Sequence, residues 1–168
     1  MRYTVALAAL AATTAFATPA FAQLSGPVEI ESRALILQPA TIAAGNPLDF
    51  GTVVASTVAG IVSIDAASGI ASDNGTGATY VSGATRGTFY GNGEPNGQVE
   101  VVVSADPLLT KVGSTAFLGY SFDANGDGLF SIRPDGLFTV YVGGSIAVKA
   151  NQEPGQYTGK VYVTADFR

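Results

Sequence analysis

The chain has 168 residues, long enough for one domain with its own core. Only 12% of them are charged, and 13 acidic residues outweigh 8 basic ones, which argues against nucleic acid or an anionic membrane surface as partner. Cys, His and Trp are all absent, so thiol chemistry, Ser-His-Asp and Cys-His catalysis and His-based zinc sites are excluded.

Residues 1–22 read as a secretory signal peptide. Arg2 supplies the positive start, and Val5 to Phe16 is an apolar run too short to span a bilayer. Ala20-Phe21-Ala22 before Gln23 fits an A-x-A cleavage site. Cleavage after Ala22 removes Arg2 and leaves 7 basic against 13 acidic residues, a net charge of −6. The expected location is the periplasm, the cell surface or the extracellular space. No later segment is long and apolar enough to cross a membrane, so no direct membrane span is expected.

Gln23 to Pro27 is a short lead. In residues 28–38, Val28, Ile30, Ala34 and Ile36 share one face of an extended chain, while Glu29, Glu31 and Arg33 share the other. From Ala34 to Leu37 both faces are apolar, as in a strand entering a two-sided core. Residues 39–47 read as a connection. Strands are predicted at 48–54 and 60–65, with Gly51 marking a bulge or a close backbone contact. Residues 66–78 are loop-like, and Asn74-Gly75 is a turn signal. Further β-prone runs fall at 78–81, 85–90, 98–103, 115–122 and 129–132, with turns at 91–97 and 134–136. Gly143-Gly144 sits between runs at 137–142 and 145–150 and reads as a tight hairpin or a glycine bulge. After a turn at Glu153-Pro154-Gly155, residues 157–168 alternate strictly. Tyr157, Gly159, Val161, Val163, Ala165 and Phe167 form one face, the cleanest strand signal in the chain. No window of helical period long enough for a stable helix follows residue 22. Many short strands separated by turn residues predict an all-β fold, a sandwich of two antiparallel sheets formed by residues 23–168 as one domain.

Few residues carry a chemical signal. Asp123-Ala124-Asn125-Gly126-Asp127-Gly128 matches the first half of an EF-hand loop, with Asp123, Asn125 and Asp127 as candidate calcium ligands. The second half fails, because position twelve is Pro134 rather than a bidentate Glu and no helices flank the loop. A turn rich in Asn, Asp and Gly is the preferred reading. Residues 91–97 are glycine-rich but lack the Lys-Ser/Thr ending of a phosphate-binding loop. Glu29 and Glu31 fit a solvated strand face better than a paired-carboxylate hydrolase. The 7 Tyr and 9 Phe fit core and cross-strand packing better than a sugar groove.

Taken together, Leu48-Asp49-Phe50-Gly51-Thr52-Val53, Val142-Gly143-Gly144-Ser145-Ile146-Ala147-Val148 and the stretch from Gly155 to Phe167 resemble the domain-of-unknown-function 4402 family of exported bacterial proteins. The terminal Gly155-x-Tyr157-x-Gly159 followed by an alternating strand is also similar to the end of pilin-like subunits, both chaperone–usher and spore-coat-protein-U-like. That second resemblance implies an incomplete immunoglobulin-like antiparallel β-sandwich whose missing strand is supplied by a neighbour. It transfers no catalytic residues and no cofactor, and this chain lacks the cysteines of many such subunits.

The expected function is therefore non-enzymatic: a structural subunit of a surface or extracellular, pilus-like fibre. Val28, Ile30, Ala34 and Ile36 are the strand-exchange residues. Like subunits are the expected partners, together with a periplasmic chaperone or outer-membrane assembly protein. The alternative is a secreted binding module for carbohydrate or calcium, using loops 66–78, 91–97 and 123–128 at one end of the sandwich.

Overall fold

The computed structural model describes residues 29–36, 38–125 and 128–168. The expected signal peptide, Val28, Leu37, Gly126 and Asp127 lie outside them. The chain divides into two units, Met1–Leu35 and Ile36–Arg168. In the first, the described residues form no strand, and Ile30 and Leu35 are more than four-fifths exposed. The strand predicted from residue 28 is thus not formed over 29–36. Its alternation has no second strand to pair with, and a lone strand is not stable in water.

The second unit is all-β. Its strands are β1 (Thr41–Ala44), β2 (Thr52–Val54), β3 (Gly60–Ile64), β4 (Ala71–Asp73), β5 (Thr79–Ser82), β6 (Gly87–Asn92) and β7 (Gln98–Ala105). Then follow β8 (Leu108–Lys111), β9 (Phe117–Asn125), β10 (Gly128–Ser131), β11 (Leu137–Val148), β12 (Tyr157–Thr158) and β13 (Val161–Phe167). All pairings are antiparallel. One large sheet runs β1-β6-β11-β9-β8-β12, with β3 also on β11 and β4 on β3. The opposing layer is in two pieces, β10-β7-β13 and β2-β5. The predicted antiparallel β-sandwich is the observed architecture.

The 12-residue strand β11 is the spine of this fold. Its side chains alternate, so Phe138, Val140, Val142, Ile146 and Val148 all point to the core and are buried. The first three belong to one apolar cluster with Val99, Val101, Val103 and Ile132. The last two belong to a second cluster with Phe50, Val62, Ile64, Ala78 and Leu118. Each such burial favours the folded chain by roughly 1.5–3 kcal/mol relative to exposure.

Gly143-Gly144 is neither hairpin nor bulge. β11 runs straight through it, in unbroken register with β9 from Tyr141↔Asn125 to Ala147↔Gly119. What changes there is the neighbour on the other side: β6 pairs up to Val142, and β3 takes over from Gly144. The end of β3 closes over the spine at that point. A Cβ on Gly143 would collide with the Ile64 carbonyl oxygen and lie 2.6 Å from the Ala66 nitrogen.

Other expectations also changed. The connection at 39–47 contains β1, the loop at 66–78 contains β4, and β8 lies between the predicted runs at 98–103 and 115–122. Gly51 does mark a close approach: its φ is 69°, a Cβ there would lie 2.7 Å from the Ala84 nitrogen, and the β2–β5 register slips just after it. The terminal stretch is two strands rather than one, since β12 pairs with β8 in the large sheet and β13 with β7 in the other layer.

Gly143→Val is expected to lower stability by about 1–3 kcal/mol, the usual effect of overpacking a filled site, because backbone rather than a movable side chain stands in the way. The shift in the urea midpoint measures it. An unchanged midpoint would mean that the end of β3 does not close on the spine.

Candidate functional site

The C-terminal segment turns a corner between the two layers. β7 leaves one layer at Ala105 and β8 enters the large sheet at Leu108. Antiparallel to them, β12 ends at Thr158 and β13 begins at Val161. At the bend the Asp106 amide donates to the Lys160 carbonyl (2.9 Å), and the Lys160 amide donates to the Asp106 carboxylate (2.8 Å). A Cβ on Gly159 would sit 2.6 Å from Leu109 Cδ2, the movable end of that side chain. Tyr157 anchors the corner. Its hydroxyl donates to the Glu153 carbonyl (2.6 Å) and accepts from Gln152 Nε2 (2.8 Å). The Glu153 carboxylate takes hydrogen bonds from Lys111 Nζ and from Ser114 Oγ (2.8 Å), which hold it below its ordinary 4.5.

Beside this corner lies a groove of about 1020 Å³. One wall is β2 with the residues leading into it from Pro47. The other is the segment from Gln152 to Val161. The floor is the inner face of the large sheet: Leu109, Leu118, Tyr120, Ile146 and Val148. β2 pairs only with β5 among the described residues, so its wall brings a free strand edge, while the other wall reaches β13 only at its first residue, Val161. The groove thus opens between β2 and the C-terminal ribbon that leads into β13.

Val161, where β13 meets the groove, is half-buried. Tyr120 packs edge-on against Phe50, with ring centroids 6.0 Å apart. Its hydroxyl is buried without a hydrogen-bond partner among the described residues. Burial pushes that phenol up to about 12, so it is neutral at any physiological pH.

The sequence-predicted site residues fall elsewhere. Of the strand-exchange set, Ile30, Ala34 and Ile36 are exposed and in no strand, and Val28 lies outside the described residues. Of the calcium set, Asp123 and Asn125 are on β9 itself rather than in a loop, and Asp127 lies outside the described residues. β9 pairs with β11 up to Asn125, so ladder geometry rather than loop curvature sets where these two side chains project. Among the described residues no group of three or more acidic, His or Cys side chains could hold a metal. Of the loops considered for a binding end, residues 93–97 follow Asn92, which pairs with Leu137 at the start of the spine, and Ala66 closes on Gly143 at its middle. Residues 76–78 pack on Gly60, which pairs with Val148 at its end, roughly 35 Å of strand away. A second depression of about 380 Å³ is lined by one aromatic, Phe117, and its ring face is already covered by Lys149 Nζ at 3.4 Å.

Sequence reasoning missed the groove, and with it the part played by β2 and Tyr120. The one available signal was that Leu118 and Tyr120 share a face within a run already read as a strand.

Residues 40–167 match the profile of a domain of unknown function, DUF4402. The chain belongs to this family. The match covers the whole β-sandwich from just before β1 to the end of β13, and it leaves out residues 29–36. No curated protein matches the chain. The DUF4402 domain thus supplies the fold and the groove, while the exposed apolar segment precedes it.

Tyr157→Phe is expected to cost about 1–2 kcal/mol, since it removes two hydrogen bonds at the corner. Thermal or urea unfolding checks this, and an unchanged midpoint would remove the anchor role. Glu153 gives a pH signature. A carboxylate whose folded value is depressed stabilises the fold above its ordinary 4.5, and that contribution disappears as pH falls through the lower folded value. Glu153→Gln should therefore be less stable than the parent at pH 7 and converge with it in acid. A constant difference at all pH values would contradict the assignment.

Proposed function

We propose that this protein is a non-enzymatic structural subunit that joins like subunits by β-strand addition. The N-terminal segment of one copy, residues 28–37, fills the groove of the next. The interrupted second layer carries this reading. The free edge of β2 and the start of β13 border a groove beside the core, and a strand laid there would extend the ladder and add apolar cover. Main-chain hydrogen bonds would supply affinity, and alternate side chains seated on the floor would set register.

The segment before the domain supports the same reading from the other side. Ile30 and Ile36 are 83% and 90% exposed, and apolar side chains left in water favour association. Low surface charge tolerates close neighbours. On this reading the chain is exported and assembled at or beyond the cell surface into a pilus-like fibre. An assembly chaperone would shield the groove until a neighbour's segment replaces it.

The test is the oligomeric state of the mature full-length chain and of an Ile30→Asp/Ile36→Asp variant. Both positions are exposed in the described structure, so the folded domain should be unaffected, whereas a buried unpaired carboxylate in the groove is strongly unfavourable. The parent should form oligomers that resist dilution. The variant should be a monomer with the same unfolding midpoint as isolated parent subunits. Equally stable monomers for both chains would end the strand-addition reading.

A further inference from the structure

An edge strand exposes unpaired backbone groups, and proteins blunt such edges by keeping them short or by breaking them with a bulge, Pro or charge. Among the described residues the edge strands β1, β2, β4, β5, β10 and β12 are all two to four residues long. The edge strand β13 is different. It has seven residues, no Pro or Gly, and an unbroken register with β7. Two bonds at its ends fix the phase of its ladder. The Asp106 amide donates to the Lys160 carbonyl, and the Arg168 amide donates to the Gln98 carbonyl (3.3 Å). Even-numbered residues therefore direct their backbone groups at β7, while Val161, Val163, Ala165 and Phe167 direct theirs at the open edge. Val163 and Ala165 are only half-buried, which fits an uncovered border. Lys160 and Asp166 stand at the two ends of the outer face. Both are exposed, and neither has an ion-pair partner among the described residues.

We propose that β13 pairs antiparallel with β13 of a second copy about a two-fold axis at Val163, so that Lys160 of each copy faces Asp166 of the other. The interface uses the same patch twice, as a two-fold contact must. The open backbone groups of Val163 bond to those of Val163 in the second copy, and those of Val161 bond to those of Ala165. On the outer face Tyr162 meets Thr164, and the two ion pairs close the ends. Charge selects this register over its neighbours. One step in one direction sets Lys160 against Arg168, a like-charge pair. One step in the other sets Lys160 and Asp166 each against a threonine. The three-stranded sheet then continues into its copy without a break. This contact does not depend on the strand-addition reading, because the groove meets β13 only at Val161. Three kinds of facing pair make a small contact. It joins single chains only at high concentration, and many edges presented together on one fibre would reinforce it.

The test uses the full mature chain carrying Ile30→Asp/Ile36→Asp, so that the N-terminal segment does not contribute, and reads self-association by sedimentation from micromolar to millimolar concentration at low salt. A dimer should form at the upper end. Lys160→Glu or Asp166→Lys alone should weaken it about tenfold, since each turns two attractions into repulsions. Both changes in one chain, or an equal mixture of the two single variants, should restore it. Because the chain contains no cysteine, register can also be read by cross-linking. A mixture of Tyr162→Cys and Thr164→Cys chains should form a disulfide on oxidation, because facing residues without mutual ladder bonds lie within disulfide reach. Neither variant alone should do so. No dimer at any concentration, charge reversals that leave dimerisation unchanged, or disulfides from either cysteine variant by itself would overturn the proposal and leave strand addition untouched.

Discussion

The second layer of the sandwich is in two pieces laid over one long spine strand, and the rest of the structure turns on that constraint. β11 offers five buried side chains to the opposing layer over its full length. The piece β10-β7-β13 covers its first half, where Phe138, Val140 and Val142 pack on Val99, Val101 and Val103. The piece β2-β5 covers part of the second half through Phe50 and its partly buried neighbours Val53 and Tyr80. Between them the floor is the large sheet itself. A groove opens there between β2 and the start of β13, with the half-buried Leu109 and Tyr120 of the large sheet in its floor.

This explains why the C-terminal segment is built as it is. A ribbon that crosses from one sheet to the other seals one side of the sandwich, with Asp106 and Lys160 exchanging hydrogen bonds at the bend and Tyr157 tied back to Glu153. The same ribbon then forms a rigid wall for the groove. A flexible wall would let the gap close on itself. One braced by Tyr157, Lys111 and Glu153 keeps the gap open at little entropic cost to whatever enters it.

Much of this was legible in the sequence. The strands β3, β7 and β13 fall within runs read as strands because each turns one apolar face toward the core. The short ones did not. Thr41–Ala44 and Leu108–Lys111 are brief and rich in small or polar side chains, so their strand character comes from the neighbour they pair with rather than from any pattern of their own. The bend at Gly159 was invisible for a different reason. The ribbon folds around the core, so the same face stays inward on both sides of the corner and the alternation passes through it unbroken. Gly143-Gly144 misled in the opposite direction. The pair looks like a turn, but the glycine there makes room for the end of β3 against a strand that never turns. The groove itself could not be read, because it forms where β2 and the C-terminal ribbon, far apart in the sequence, come to face one another.

The most direct measurement is hydrogen exchange at the backbone amides of β2 and β13, compared between dilute mature protein and the same protein at high concentration. The account predicts fast exchange along the free edges in the dilute state and strong protection of both strands together on assembly, with the amides of residues 29–36 protected in step. Edges already protected in the dilute monomer, or unchanged at high concentration, would contradict it.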